Sequence, residues 1–132
     1  METMVTLGYR LYHNYSGAFR RPYRRGDVLI EGWCGDIEVD AGKLADQVRD
    51  PGSLAEIVFG RHNRDDRPDG RFAPSLSVGD VVVVGEVAVS VDRFGWLAVS
   101  GDEFAAAEVF PGPWRETRRQ AEARALELGH LS

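Results

Sequence analysis

The sequence predicts an α+β fold: a curved antiparallel sheet or small open barrel of about five strands, with short covering helices and a C-terminal helix. Two features support this prediction, namely a valine-rich run between residues 81 and 91 and short amphipathic segments on both sides of it. A chain of 132 residues with 43% hydrophobic content is sufficient for one core. We therefore expect a single domain over residues 1–132, with residues 113–132 as a peripheral helix.

The strands at the centre of the prediction are those that follow residue 80. Side chains alternate between the two faces of a strand, so the four valines Val81–Val84 must be covered on both faces. Gly85-Glu86 offers a two-residue turn with glycine where a positive φ is needed. Residues 87–91 then alternate as a second strand, residues 92–95 turn, and residues 96–99 form a third. The pattern is that of an antiparallel meander.

This run also carries a resemblance. Ser-Leu-Ser-Val-Gly-Asp-Val-Val-Val, a Gly-Glu turn, a valine-rich strand and Phe-Gly-Trp, over residues 75–99, resemble the YodL-like family of small proteins from bacterial mobile elements and actinobacterial phages. Residues 61–71, with an asparagine and an Asp-Arg-Pro sequence, are similar to the segment that precedes this run in actinobacterial members. The resemblance extends over about residues 54–99. It implies a phage or mobile-element origin and assigns no catalytic or ligand residues.

The remaining elements follow from local patterns. Alternation predicts a strand over residues 3–12 and another over residues 28–33 that continues to residues 37–39. Asp40 is placed to cap a short helix that ends at Pro51-Gly52. Ser53 and Glu56 have capping-box spacing, which predicts a second helix from Leu54. Two further helices are predicted over residues 103–110 and 114–128.

Composition excludes several classes of function. The sequence has no apolar run of 18 residues and no signal-peptide pattern, so we expect no membrane association and a cytoplasmic protein, in the host cell if it is phage-encoded. The single cysteine, Cys34, agrees with a reducing compartment. A net charge of -5 argues against nucleic-acid binding driven by the electrostatic field of the whole protein. It does not exclude binding through a local basic patch.

The first candidate binding site is a cluster of arginines and aromatics between the first two strands. Its predicted binding residues are Arg20, Arg21, Tyr23, Arg24 and Arg25. Guanidinium groups match phosphates and an aromatic ring can stack on a base. The alternative is that these arginines pair with the protein's own acidic surface.

The second candidate site is the last helix. Trp114 and Arg118 share a face with a thin apolar stripe that ends at Leu128, and such a stripe buries little area. We therefore expect the helix either to dock loosely or to contact a partner, with Trp114 and Arg118 as binding residues.

No pattern indicates a metal, a cofactor or a catalytic group. His13, His62 and His130 match no zinc spacing with Cys34. A nucleophilic pair of Cys34 and His62 lacks a visible orienting group, and both Cys34 and the adjacent Trp33 are expected in the core. The sequence thus predicts a non-enzymatic accessory protein that binds a host or phage protein. The alternative is a small nucleic-acid-binding module that uses residues 20–25, and the oligomeric state stays open.

Overall fold

The computed structural model describes residues 3–16, 21–64 and 75–130. These ranges contain six strands and four helices. In chain order the elements are β1 (Met4–Asn14), β2 (Val28–Asp40), α1 (Ala41–Arg49), α2 (Pro51–His62), β3 (Val81–Val84), β4 (Val87–Asp92), β5 (Gly95–Val99), α3 (Gly101–Ala105), β6 (Glu108–Phe110) and α4 (Trp114–Glu127).

All six strands belong to one open sheet, in the order β5-β4-β3-β1-β2-β6. Neighbouring strands are antiparallel except β2 and β6, which pair in parallel. The predicted α+β class with an open curved sheet and a C-terminal helix is therefore confirmed. The sheet differs from the prediction in having a sixth strand, which makes it mixed.

The core lies on both faces of this sheet. One cluster lies between helix α2 and the four strands β1, β2, β3 and β4. Its buried members are Tyr9, Leu11, Ile37, Val39, Leu54, Ala55, Val58, Leu76, Val82, Val84 and Val89. A second cluster lies on the opposite face beside α3, with Tyr12, Tyr23, Leu29, Val81, Val83 and Val99. The third consists of Val28 and Ile30 beneath Ala121 and Ala125 of α4.

The predicted meander is present as β3, β4 and β5. All four residues of Val81–Val84 are buried, because alternate valines enter the first and second core clusters. Gly85 takes a φ of 60° at the first turn, which is the left-handed region where glycine is favoured. The antiparallel pairing of β1 with β3 attaches the meander to the rest of the sheet.

Strand β2 departs from the prediction in one respect. Its pairing with β1 shifts between Arg10 and Tyr12, so that Gly32 and Trp33 together lie opposite Leu11 as a β-bulge. Trp33 is 41% exposed and Cys34 is exposed. The expectation that these two side chains belong to the core is wrong, since the part of β2 beyond Ile30 has no strand on its outer side among the described residues.

Two local predictions in the helical segments are also wrong. Helix α2 begins at Pro51, after Asp50, and the Glu56 carboxylate accepts from the Trp96 indole instead of closing a capping box. The capping box lies at Ser100 and Glu103, at the start of α3. The predicted helix over residues 103–110 is interrupted because Glu108–Phe110 pair with Val28, Leu29 and Ile30 as β6.

Helix α4 is firmly docked on its own domain. Ala121 and Ala125 have no exposed surface, and they cover Val28 and Ile30. The helix ends in a Schellman arrangement, in which the His130 amide donates to Ala125 and the Gly129 amide donates to Leu126. None of the helices in the described ranges has the length and apolarity needed to cross a membrane.

Candidate binding site

The arginine segment, residues 21–27, is organised around the buried carboxylate of Asp27. Arg21 donates to both carboxylate oxygens, at 2.8 and 3.0 Å, which is the bidentate geometry of a strong ion pair. The Arg24 amide and the Asn14 side-chain amide each donate to the same carboxylate at 3.0 Å. Arg21 is therefore committed to the fold, and its charge is neutralised within the protein.

The electrostatic state of Asp27 follows from these contacts. Burial alone would raise the pKa of its carboxyl, but the hydrogen bonds from Arg21, the Arg24 amide and Asn14 outweigh that effect and hold the pKa below its ordinary value. The carboxylate is thus charged at neutral pH. A fixed negative charge at this position explains why the chain folds back from residue 21 to residue 27.

Tyr23 is also part of the fold. Its side chain is buried in the second core cluster, its amide donates to the Ser90 hydroxyl at 2.8 Å, and its own hydroxyl donates to the Glu103 carbonyl. Burial raises the pKa of this phenol. In this arrangement the Tyr23 ring does not offer a surface on which a base can stack from solvent.

Arg24 and Arg25 are the exposed residues of the segment. The Asp27 amide donates to the Arg24 carbonyl at 3.0 Å, and Gly26 has a φ of 86°, as expected at the third position of a type II turn. The turn fixes the backbone and leaves both guanidinium groups on the surface. Arg20, the fourth predicted arginine, lies outside the described residues.

The second candidate surface, which we call the α4 surface, consists of Tyr15, Trp114 and Arg118. The Arg118 guanidinium lies 5.4 Å from the centre of the Trp114 ring, within the range of a cation–π contact. The Trp114 ring in turn lies 6.3 Å from that of Tyr15. Burial raises the pKa of the Tyr15 phenol, partly opposed by the nearby Arg118 charge. Trp114 is half-buried and Arg118 exposed.

A buried polar cluster connects the two candidate surfaces at their base. The backbone amide of Asn14 donates to the Asp80 carboxylate at 2.9 Å, and the side-chain amide of Asn14 donates to the Asp27 carboxylate at 3.0 Å. On the other side, the Ser16 hydroxyl accepts from the Val28 amide and lies 2.6 Å from the His130 ring nitrogen Nδ1. His130 reaches this position because the Schellman turn directs the chain back over β2. The end of α4 is therefore held beside Asp27.

The catalytic pair considered from the sequence is not assembled. Cys34 pairs with Arg10 on β1, whereas the His62 ring nitrogen Nε2 contacts the hydroxyl of Tyr9 at 2.8 Å. Consecutive strand residues point to opposite faces, so Cys34 and His62 lie on opposite sides of the sheet. In residues 3–16, 21–64 and 75–130, no group of three or more His, Cys, Asp or Glu side chains is arranged to hold a metal ion.

The structure thus places the predicted residues in two groups. Arg24, Arg25, Trp114 and Arg118 present charge or an aromatic ring to solvent, while Arg21 and Tyr23 stabilise the fold. Two contributors were missed: Tyr15, whose position after β1 gives no sign of its contact with α4, and Asp27, whose signal was a lone carboxylate beside four arginines. No family model, curated protein or solved structure matches this chain.

Proposed function

We propose that this chain is a non-enzymatic accessory protein of a phage or other mobile element, and that it acts in the host cytoplasm by binding a host or phage protein. The resemblance of residues 75–99 to the YodL-like family supports the origin. The observation that supports protein binding is the Trp114 and Arg118 pair on a helix that is docked on the sheet through buried alanines. Tryptophan and arginine are the residue types that most often dominate protein interfaces.

The docking of α4 on its own sheet makes this pair suitable for recognition. Because Ala121 and Ala125 are completely buried and His130 secures the helix end, α4 need not become ordered when a partner binds. A partner that covers the pair therefore pays a smaller entropic cost than one that must fix a flexible segment. The half-exposed Trp114 ring offers apolar area, and Arg118 offers directional donors at its rim.

A capture experiment tests the proposal. Removing α4 by truncation would uncover Val28 and Ile30, so a surface substitution is required. We expect immobilised wild-type protein to retain a specific protein from an actinobacterial host lysate, and Arg118→Glu to reduce that capture about tenfold, the loss of one charged interface contact. The matched control is Arg49→Glu, an exposed arginine on α1. Equal capture by wild type and Arg118→Glu would contradict the proposal.

The alternative function is nucleic-acid binding through the arginine segment, and one observation favours keeping it: Arg24 and Arg25 extend from a fixed turn. Phosphate contacts release counterions, so the two contacts that Arg24 and Arg25 could make would weaken binding about 12-fold between 50 and 200 mM salt. A gel-shift assay at both concentrations with wild type and an Arg24→Glu, Arg25→Glu double variant measures this. Absence of a shift at low salt would remove the alternative.

A further inference from the structure

The outer side of strand β2 is unpaired over most of its length. Strand β6 pairs with residues 28–30, and among the described residues no strand lies beside the remainder of β2. A β-bulge at Gly32 and Trp33 interrupts the first part of this remainder, but from residue 34 to residue 40 the register with β1 is continuous. This segment, residues 34–40, which we call the β2 edge, is therefore regular enough to pair with one more strand.

Two hydrogen bonds show which backbone groups of the β2 edge point outwards. The Gly8 carbonyl accepts from an amide of the β3–β4 turn at 2.8 Å, so Gly8 directs its backbone towards β3. Asp36 lies opposite Gly8 and therefore directs its backbone away from β1. The Arg61 guanidinium confirms this direction, because it donates to the Asp36 carbonyl from α2 at 2.8 Å. Backbone direction alternates along a strand, so Cys34 and Glu38 also have outward amide and carbonyl groups.

The same three residues place their side chains on the face of the sheet that is opposite α2. The residue between the two carboxylates enters the core beneath α2, and successive side chains alternate between faces. Cys34, Asp36 and Glu38 are exposed. The two carboxylates lie opposite Gly8 and Thr6 of β1, which carry no charge, and neither forms an ion pair within the described part of the chain. The β2 edge thus has outward backbone groups and uncompensated negative charge on the same residues.

We propose that the β2 edge binds an added strand of a partner protein, in which lysine or arginine occupies alternate positions. Side chains directly opposite each other on neighbouring strands share a face, and opposite charges in that arrangement are favourable. Strand β1 supplies no cation opposite Asp36 or Glu38, so the added strand is the neighbour that supplies them. Its amides and carbonyls would pair with the outward backbone groups, and its cations would give the specificity.

The charge of the β2 edge argues against a second copy of this chain as the occupant. Antiparallel pairing of two such edges about this segment would set Asp36 opposite Asp36 or Glu38 of the second copy, and like charges in that position are destabilising. The net charge of -5 adds a general repulsion between copies and a general attraction for a basic partner. The β2 edge is also separate from the α4 surface, so this proposal does not depend on the proposed function.

A binding titration tests the charge pattern. The probe is a fluorescent peptide of about nine residues in which lysine alternates with threonine, long enough to cover the β2 edge at about 3.3 Å per residue. We expect wild type to bind it about tenfold more tightly than a peptide of the same composition with consecutive lysines. Glu38→Lys should weaken binding about tenfold. The matched control is Glu86→Lys, which changes an exposed acid of the β3–β4 turn and should alter binding by less than about twofold.

An exchange of charge sharpens this test. The double variant Asp36→Lys, Glu38→Lys should prefer a peptide in which glutamate replaces each lysine, whereas wild type should not bind that peptide. Arg118→Glu should bind the lysine peptide as wild type does, so the present proposal and the proposed function fail separately. Equal binding of the alternating and consecutive lysine peptides, or unchanged binding by Glu38→Lys, would overturn the proposal.

Amide hydrogen exchange followed by NMR locates the peptide on the wild-type protein and requires no variant. The outward amides of Cys34, Asp36 and Glu38 should exchange about tenfold more slowly when the peptide is bound. The amides of Gly35 and Ile37 point towards β1 by the same alternation and should change little. A bound peptide that leaves the three outward amides unprotected would overturn strand pairing. Protection that grows with protein concentration without any peptide would identify a second copy as the occupant and would also overturn the proposal.

Discussion

Replacing Asp27 with asparagine tests how the arginine segment is held. The carboxylate accepts two hydrogen bonds from Arg21 and one each from Asn14 and the Arg24 amide. Breaking a buried ion pair by removing one partner costs about 3 to 5 kcal/mol. Arg21 is 20% exposed and recovers part of its hydration, so we expect Asp27→Asn to lower the free energy of unfolding by about 3 kcal/mol.

The pH dependence provides the decisive measurement. The pKa of Asp27 is lower in the folded protein than its ordinary value of 3.8. The stabilisation that the charged carboxylate gives the folded protein is therefore fully present above pH 3.8 and is lost as the pH falls through the folded-state pKa. In urea unfolding, the free energies of unfolding of wild type and Asp27→Asn should differ by the full amount at pH 7 and by less near pH 3. Asp46→Asn, an exposed carboxylate, is the control and should change little. An equal difference at both pH values would refute the reasoning.

Three further predictions concern packing and exposure. Gly35→Ala should destabilise the protein by about 1 to 3 kcal/mol, because a Cβ at this position would lie 2.7 Å from the buried Tyr9 hydroxyl. Gly60→Ala in α2 meets open space and should stabilise the protein by about 0.5 to 1 kcal/mol. Urea unfolding of both variants measures these changes, and an unchanged stability of Gly35→Ala would contradict the first. Ala121→Leu should cost about 1 to 3 kcal/mol in thermal unfolding by separating α4 from β2, and an unchanged melting temperature would argue against tight docking. Cys34 is exposed, so a thiol reagent should label it in the native protein as completely as in urea; labelling only after unfolding would disprove its exposure.

The parts of the fold that the sequence predicts well are those determined by neighbours in the chain. The alternation in β3 to β5 and the Asp40 cap, whose carboxylate accepts from the Gly42 amide, are local features. Residues 108–110 show the limit of such evidence. Their surroundings favour helix, but they form a strand because Val28–Ile30, about 80 residues earlier, offer an unpaired edge. Propensity carries no information about that partner.

The candidate site was predictable only in part, for a similar reason. Clustering of arginines at residues 20–25 is visible in the sequence, but whether each one is exposed depends on Asp27 and on the distant Ser90 and Glu103, which bind Tyr23. The contact of Trp114 with Tyr15 joins residues almost 100 positions apart. Residue type indicates the candidate surfaces, and tertiary structure decides which of their members face solvent.

The position of β1 between β2 and β3 has a consequence for how the chain folds. The ribbon of β1 with β2 and the meander of β3 to β5 each form from neighbouring segments, whereas their junction pairs Tyr9, Arg10, Leu11 and Tyr12 with valines about 70 residues away. Closing so long a loop is slow relative to forming a hairpin. We expect substitutions at this junction, such as Leu11→Ala, to slow refolding, and substitutions far from it, such as Ala125→Gly in α4, mainly to accelerate unfolding.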